Sequence, residues 1–332
     1  MTLAMTGLIV FHANDHRPED LIIAKFSEAE FESSWKELTS RGSITLARNV
    51  KFFDKRQISS EFKRGDALTL YLGYDGDYVK EFTGYISEVS ADIPIVLKFE
   101  DEMFKVRKID VNFSSPNIIL EKLLKTIIPG YEIDALEGVN LGAVRLAKTQ
   151  VGPVLEKLKS DWGLHTYMKD KQVVCGKYYA DDTSSETIQF NLERDIVSQN
   201  LTYKRAYEIS LKIKVVSTLA NGTKVEVDGI GDKDGNERQL TFYNISSKAE
   251  LERLGKLEYE KYKVDRFEGS FTAFGIPSVK HGMKVELTSL LYDDGKDKVK
   301  NDRNGVYYVE KVVKTFGSGG YRQEITLGDK VI

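Results

Sequence analysis

Histidines are the side chains in this sequence best suited to metal binding or proton transfer, and the chain has four of them. His12 and His16 are four residues apart, with Asp15 and Asp20 nearby. On a helix, this spacing places two imidazoles on one face, where they could hold a metal ion. The asparagine and proline among these residues favour a loop instead, and no glutamate stands between the two histidines as in a metalloprotease motif. We therefore predict a solvated loop here and no metal site.

Other residues with suitable chemistry occur singly. Cys175, the one cysteine, follows two valines in a strand-like segment, so we predict a buried thiol without a catalytic base and without an internal disulfide. His165 is predicted to be a packed or surface residue of a strand, and His281 precedes a glycine in a predicted turn. The glycine-rich segment 317–320 lacks the lysine and hydroxyl residue of a phosphate-binding loop, so it is predicted to be a turn between strands.

Two groups of acidic residues resemble functional motifs. Asp232, Asp234 and Asn236 alternate as at the start of a calcium-binding loop, but the twelfth position is Tyr243 rather than a glutamate. We predict a hairpin tip at this point. The Glu-Asp-Glu cluster at 100–102 could supply catalytic carboxylates, but a solvated face is the commoner role of such a run, and we predict that role.

No part of the sequence assembles a nucleophile, a base and an orienting group. We therefore predict no enzymatic activity, no catalytic residues, no cofactor or cofactor-binding residues and no metal ligands, and we expect the protein to work through its surfaces. The interface residues stay unknown from the sequence, because a shift of one residue in strand register exchanges the inward and outward faces.

The composition is that of an ordinary globular protein of two or three domains, with 332 residues, 41% hydrophobic and 30% charged. These values exclude wholesale disorder, a collagen-like chain and a disulfide scaffold. The formal net charge of −3 provides no global basic field for nucleic acid. No segment approaches the ~20 apolar residues of a membrane helix, so we expect no membrane insertion. Charged residues soon follow the apolar segment 1–10, which we predict to be a strand rather than a signal peptide.

Alternation of apolar and polar residues dominates the chain and predicts strands with one face in a core. The clearest segments are 68–72, 95–99, 209–215 and 267–273. Turn-forming residues separate the strands at 75–76, 221–222, 234–236, 294–295 and 317–320.

Three segments have helical periodicity. The first has Ser115 as a predicted N-cap before a proline and continues with apolar residues to Ile128. The second is predicted over 153–162. The third begins at Ser247, whose spacing to Glu250 fits a capping box. The elements together predict a mainly β region up to residue 108, a mixed α/β region over 109–182 and a second mainly β region over 183–332, with a serine-rich linker at 181–186.

The two β regions contain the same succession of segments: a glycine turn with a strand, a glycine-led strand and a closing strand. The segments are 65–70, 83–89 and 95–100 in the first region, and 282–287, 304–312 and 322–327 in the last. Any antiparallel meander has a similar order, so chance similarity is one explanation. The other is a duplicated barrel, with which a cyclic trimer would present six similar units in a ring.

Several short motifs, taken in order, resemble those of a known family. They are 35–38, 43–49, 65–66, 82–86 and 99–103 in the first region, and 282–287, 305–309 and 321–327 in the last. Their order resembles the hub proteins of phage tails in the late control protein D family, which includes the hubs of Mu-like contractile phages. The middle region is similar to the small insertion of that family.

The resemblance implies a mainly β fold in which two tail-tube-like β-barrel domains, 1–108 and 183–332, flank a small α/β domain, 109–182. It implies a structural baseplate hub that forms a homotrimeric, pseudo-sixfold ring and joins the hexameric tail tube protein to a trimeric central spike protein. Other baseplate proteins would be further partners, and DNA would pass through a polar or acidic channel without specific binding. The expected location is the virion tail, or a phage-like contractile injection particle, assembled in the bacterial host cytoplasm.

Two alternatives stay open at this point. A tail-tip cell-wall hydrolase would need a cleft with paired carboxylates or a metal. A glycan-binding module would be favoured by exposed tryptophans, but the chain has only Trp35 and Trp162, and both lie in apolar patterns.

Overall fold

Strands make up 53% of the described residues and helices 15%, which confirms the predicted mainly β class. The structure is a computed structural model that describes residues 4–46, 61–90, 94–179, 187–290 and 303–331. The predicted linker at 181–186 and the turn at 294–295 lie outside these residues. Within them, no helix combines the length and the apolar character needed to span a membrane.

The elements are described in three groups along the chain, with the helix at 103–106 grouped with the middle elements because its residues pack in their core. The first region contains β1 (Met5–Phe11), β2 (Leu21–Ile23), β3 (Phe26–Ser34), β4 (Arg41–Leu46), β5 (Ala67–Tyr74), β6 (Asp77–Val89) and β7 (Val96–Glu100). The middle region contains α1 (Met103–Val106), β8 (Asp110–Ser115), α2 (Leu120–Ile127), β9 (Glu132–Ala135), β10 (Val144–Gln150), α3 (Val151–Trp162), β11 (Thr166–Lys169) and β12 (Gln172–Cys175). The last region contains β13 (Thr187–Asn191), β14 (Ile196–Lys204), β15 (Leu211–Thr218), β16 (Lys224–Gly231), β17 (Asn236–Tyr243), α4 (Lys248–Tyr262), β18 (Arg266–Phe274), β19 (Lys284–Thr288), β20 (Gly305–Gly317) and β21 (Gly320–Lys330).

The two β regions share one sheet, to which 13 of the described strands belong. Its main path runs β14-β18-β21-β20-β3-β4-β7-β6-β5-β1-β2, with β19 paired to β20 and β13 paired to β19. Among the described strands this path has two ends and does not close into a ring. The first and last regions meet where β3 pairs with β20.

The strand order confirms the predicted internal repeat. The first region has the order β1-β5-β6-β7-β4-β3, and the last region has the corresponding order β13-β19-β20-β21-β18-β14. The two orders differ at their first pair, because β1 is antiparallel to β5 whereas β13 is parallel to β19.

The repeat extends to individual hydrogen bonds in the central strands. The backbone N–H of Gly65 donates to the carbonyl of Ile86 over 2.7 Å, and that of Gly282 donates to Val309 over 2.8 Å. In each strand the next residue is an extra residue that forms a β-bulge against the closing strand. Ile86 of β6 and Val309 of β20 are therefore equivalent positions.

The outer strands contain a matched sequence that confirms this alignment. By strand pairing, RGSITL of β4 (41–46) is equivalent to EGSFTA at 268–273 of β18. The neighbouring strands each bulge at one residue, Ser27 of β3 and Val197 of β14, between equivalent pairs. The sequence motif Gly-Ser-x-Thr in both strands is a signal of duplication that periodicity alone does not reveal.

Four hydrophobic clusters form the cores of the described part of the chain. One lies under the first β region, and one lies within the last. A third spans residues from Met103 to Cys175, within α1 and the α/β region. The fourth belongs to β15, β16, β17 and α4, which form a module inserted between β14 and β18.

The predicted helices are present, with one wrong start. Ser247 caps α4, since its Oγ accepts a bond from the Glu250 N–H over 3.3 Å, and α3 covers the predicted 153–162. Ser115, however, ends β8 and does not cap α2, which begins at Leu120. The intervening segment is held elsewhere, because the Ile118 N–H donates to a carbonyl of the loop before β10.

The predicted hairpin tip at 232–236 is also wrong. Residues 232–235 connect β16 to β17, but these strands lie on opposite sides of β15. The connection crosses the start of β15, and at Gly235 a Cβ would overlap the backbone of Leu211. A glycine is needed for this close approach.

Candidate functional site: the seam between the two β regions

The two halves of the repeat meet at a seam, which consists of the β3–β20 pairing and the side chains packed beneath it. The strands pair antiparallel from Lys311 opposite Ser34 to Phe316 opposite Ala29. Beneath them, Phe26 packs against Phe316 with ring centroids 5.1 Å apart. The backbone ladder makes the sheet continuous across the two halves.

The end of the β20–β21 hairpin inserts into the core of the first half. Tyr321 is fully buried there among residues of the first β region. The Tyr74 hydroxyl donates to the Tyr321 carbonyl over 2.8 Å, and the Tyr321 hydroxyl donates to Glu81 over 2.7 Å. Gly275 lies against the Tyr321 ring, where a Cβ would overlap the ring atoms. The end of the hairpin therefore belongs to the last region by sequence and to the first core by packing, whereas the rest of the hairpin packs in the last core.

A buried ion pair links the halves beside this tyrosine. Lys314 of β20 contacts Glu81 of β6 over 2.5 Å, and their side chains are 3% and 0% exposed. The Lys314 ammonium also donates to the Ser278 Oγ over 2.6 Å, and Ser278 donates to Glu81 over 3.0 Å. Burial lowers the pKa of Lys314, and the charge of Glu81 opposes this change. Each charge depends on a partner from the other half.

A cleft of about 420 Å³ opens beside this pair, where all three regions meet. Its lining includes Phe31, Glu81, Asp101, Tyr167, His281 and Lys314. Burial lowers the pKa of His281 to about 4, with Lys280 adding a smaller effect in the same direction. The imidazole packs edge-on against Tyr167, with ring centroids 5.0 Å apart. His281 is thus a buried neutral side chain, and its position in a turn is the part that the sequence predicts.

The acidic cluster at 100–102 is not the solvated face that the sequence predicts. Asp101 is buried, and it accepts the backbone N–H groups of Ser40 over 2.8 Å and Met103 over 3.0 Å. Burial raises the pKa of Asp101 to about 7, against the effect of these hydrogen bonds. The carboxylates on either side are also engaged, one by two tyrosine hydroxyls and one by an arginine. The cluster fixes the loop that enters α1.

A raised pKa in a cleft is a general sign of a functional acid. Here both oxygens of Asp101 accept backbone hydrogen bonds, and Lys314 and Glu81 neutralise each other. Through these contacts, Asp101, Lys314 and Glu81, whose charges are bonded within the protein, hold the three regions together at their junction. The geometry therefore supports a structural seam.

The loop that contains His12 and His16 folds onto Asp66. The His16 Nε2 lies 3.2 Å from the Asp66 Oδ2, whereas the His12 Nε2 contacts the Thr69 hydroxyl at 2.8 Å. Arg17, 7% exposed, anchors the same loop on Asp66. The segment is a loop, as predicted, although it is more buried at Arg17 than a solvated loop. In the described part of the chain, no three or more His, Cys, Asp or Glu side chains are grouped to hold a metal ion.

The remaining predicted residues are packed. Cys175 is buried, its sulfur accepts the Thr166 hydroxyl at 3.2 Å, and burial raises the pKa of the thiol to about 11. His165 packs edge-on against Trp35 at 5.2 Å, and burial lowers its pKa. Trp162 stacks on a tyrosine of β17. Neither tryptophan forms the exposed platform that a glycan-binding surface needs.

Sequence reasoning missed the seam, although one signal for it exists. In β20, Val312 and Lys314 lie on the inward face, so a lysine occupies a core position of an alternating strand. Such a lysine predicts a buried carboxylate partner. Its identity, Glu81, is 233 residues away in the sequence and follows only from the register between the halves.

Known structures identify the fold as that of phage tail proteins. No protein-family model matches the chain, and no curated protein sequence does. The 43 kDa tail protein of prophage MuSo2 from Shewanella oneidensis matches with a TM-score of 0.60 and 14% identity, over 97% of this chain and 96% of that one.

Two further structures support the same fold. A tail protein from Neisseria meningitidis matches with a TM-score of 0.59 and 13% identity, over 99% of this chain and 97% of that one. The c3393 protein of E. coli matches with a TM-score of 0.50 and 11% identity, over 92% and 73% of the two chains. It is described as a component of the type VI secretion system with structural similarity to the phage T4 tail proteins gp27 and gp5. The predicted resemblance to phage tail proteins is thus confirmed at the level of the fold.

Proposed function

We propose that this protein is the structural baseplate hub of a phage tail or of a phage-like contractile injection system. Three copies form a pseudo-sixfold ring that joins the hexameric tail tube to a trimeric central spike. The observation that carries this proposal is the repeat itself: two equivalent β units lie side by side in one sheet within one chain. Three copies of such a chain supply six similar units, which a single-unit trimer cannot.

The partners follow from the resemblance to late control protein D hubs and from the matched folds. Tail proteins of two bacterial species and a type VI secretion component share this architecture. Tube, spike and other baseplate proteins are the proposed partners, and the virion tail or injection particle is the proposed location. A non-enzymatic role fits the buried, mutually neutralised titratable groups of the seam.

The sheet offers a suitable channel wall. Its face opposite the cores is polar at the seam, where Glu32 pairs with Lys311 over 2.6 Å and with Arg41 over 2.9 Å. Among the described residues, Glu28 and Glu30 of β3 are exposed without a cationic partner. A wall of paired charges with additional carboxylates would let DNA pass without binding it.

The test is the symmetry of the assembled protein. Light scattering and native mass spectrometry of the purified chain should give about three times the chain mass of 37.6 kDa, and with the spike protein of the same particle they should give that mass plus three spike chains. Electron micrographs of that species should show a ring with three major and six minor repeats. A protein that stays monomeric with its spike, or forms only dimers, would contradict the proposal.

A further inference from the structure

The outer edge of β14 has no partner strand in the described part of the chain. β14 pairs with β18 on one side only. Its equivalent in the first half, β3, pairs with β4 on the corresponding side and with β20 on the other. The equivalent strand edge is therefore covered by β20 in the first half, at β3, and open in the last half, at β14. An exposed strand edge presents unpaired N–H and C=O groups that favour pairing with another strand.

A matching open edge lies at the end of β6. Residues 88–89 of β6 pair with β7 on one side, while β5 reaches only as far as Tyr85 on the other. The equivalent residues of β20 begin at Lys311, and there the corresponding side pairs with β3. Among the residues that the structure describes, β6 therefore lacks the neighbour that β20 has at the same point of the repeat.

Side chains next to the covered edges of β3 and β20 are less exposed than the equivalent side chains of β14 and β6. Ala29 of β3 is 2% exposed, whereas the equivalent Gln199 of β14 is exposed. Val312 of β20 is 2% exposed, whereas the equivalent Val89 of β6 is only half-buried. The positions that the seam buries in one pair of strands stay open in the other pair.

We propose that the open edge of β14 pairs with the end of β6 from a second copy of this chain, in the register of the seam. The seam places Lys311 opposite Ser34, and by equivalence this becomes Glu88 opposite Lys204 of the second copy. Val312 opposite Ser33 becomes Val89 opposite Tyr203 in the same way. The inference deepens the proposed function, on which it rests, by stating which surfaces join the copies.

Charge supports this register. Glu88 and Lys204 have opposite charges and are each partly exposed, paired at present with Lys98 over 3.1 Å and with Glu268 over 2.5 Å. Placing them opposite each other joins two surface pairs into a network of alternating charge, whereas like charges directly opposite would be destabilising. The pairing is head to tail, since it joins two different edges. A closed ring of copies would then leave neither edge open.

Cysteine cross-linking tests the register directly. In the variant Glu88→Cys/Lys204→Cys, the two side chains lie directly opposite across the copies, with Cβ atoms about 5 Å apart. Oxidation, or a short bismaleimide reagent, should convert most of the protein to linked dimers and trimers on a denaturing gel. The native Cys175 is buried and should not contribute. The control Glu88→Cys/Lys256→Cys places the second thiol on the exposed face of α4 and should give none of these species.

Two outcomes overturn the inference, and they are distinguishable. A trimer by light scattering that gives no linked species above the control contradicts the strand pairing but leaves the proposed function intact. A protein that neither trimerises nor cross-links contradicts both. If the first variant fails to fold, Ser90→Cys/Thr202→Cys tests the next position on the same face, and it should produce the same ladder of linked species.

Discussion

At the scale of single residues, Lys314 and Glu81 couple the two halves through a pair of buried charges. Replacing Lys314 with Met leaves Glu81 buried without a counter-charge, so we expect a loss of about 3–5 kcal/mol in the free energy of unfolding. The double variant Lys314→Met/Glu81→Gln should lose less, because no net charge stays buried and the amide oxygen can still accept the Tyr321 hydroxyl. Urea denaturation of the three proteins measures these differences.

The matched control is Lys98→Met, which breaks the exposed pair with Glu88. Surface pairs of this kind contribute about 0–1 kcal/mol, so the control should unfold close to the parent protein. Equal losses of unfolding free energy for Lys314→Met and Lys98→Met would show that the buried seam pair stabilises the protein no more than the exposed pair.

Two other residues of the cleft should give opposite pH dependences. Between pH 4 and pH 7 the folded protein keeps a proton on Asp101, pKa about 7, that the unfolded chain releases, so raising the pH through this interval lowers the free energy of unfolding. His281, with a folded pKa of about 4, stays neutral where the unfolded chain binds a proton below about pH 6.5, so lowering the pH lowers the free energy of unfolding.

Single variants should separate the two effects. Asp101→Asn should leave a stability that rises from pH 4 to pH 6.5, and His281→Phe should leave one that falls from pH 4 to pH 7. Urea denaturation at half-unit pH intervals measures both. Identical pH profiles for the two variants would contradict the assignment of these proton uptakes.

Residue-level prediction from the sequence succeeded where the environment is local. Cys175 follows two valines, and its burial was predictable from that run. The burial of Asp101 was not predictable, because the backbone donors at Ser40 and Met103 that satisfy its carboxylate come together only in the folded loop. Lys314 likewise shows its partner only after the register of the halves is known.

At the scale of elements, the β20–β21 hairpin depends on its tip. Tyr321 fills the first core from the last region, so Tyr321→Ala should cost about 3–5 kcal/mol through the cavity and the lost hydroxyl contact with Glu81. Tyr207→Ala is the matched control, because Tyr207 is 78% exposed, and it should change stability by about 0.5 kcal/mol or less. Chemical denaturation distinguishes the two, and a small loss for Tyr321→Ala would mean that the hairpin end is not needed by the first core.

Elements with strong local signals were predictable, and their connections were not. The alternating strands and the Ser247 cap are confirmed, since periodicity and capping are properties of neighbouring residues. Ser115 was assigned to a helix because serine before proline fits an N-cap, but long-range hydrogen bonds of the next residues delay the helix to Leu120. The crossover at 232–235 has the residue types of a hairpin turn. It is distinguished from a hairpin only by the position of β15 between the two strands that it connects, β16 and β17.

At the scale of the whole molecule, the proposed hub function predicts that the carboxylates on the polar face of the sheet prevent the protein from binding DNA. The triple variant Glu28→Lys/Glu30→Lys/Glu324→Lys replaces three exposed carboxylates on this face. We expect the parent protein not to bind duplex DNA at about 0.15 M salt, and the variant to bind it with an affinity that falls steeply as salt rises. Fluorescence anisotropy with a labelled duplex measures this change.

A control of equal charge uses Glu252→Lys/Glu258→Lys/Glu260→Lys on α4, away from the sheet. This variant has the same net charge as the first, so it should bind DNA much less if the polar face is the relevant surface. Equal binding by both variants would mean that net charge alone is responsible.

The duplication was predictable as an order of segments, and its consequences were not. The sequence contains the repeated Gly-Ser-x-Thr motif, but the pairing of β3 with β20 joins residues nearly 300 positions apart. The same holds for the parallel pairing of β13 with β19, where the two halves differ. Such long-range registers depend on the packing of the complete chain.

The module inserted between β14 and β18 has no counterpart between β3 and β4, where a loop of six residues makes the connection. The two units of the repeat therefore differ at this connection: the last unit has an inserted module there, whereas the short loop of the first unit packs against the α/β region. In any ring of copies of this chain, units with the inserted module would alternate with units that lack it. A partner with threefold symmetry could bind the three identical inserted modules. A partner with sixfold symmetry could bind only the sheet, which both units share.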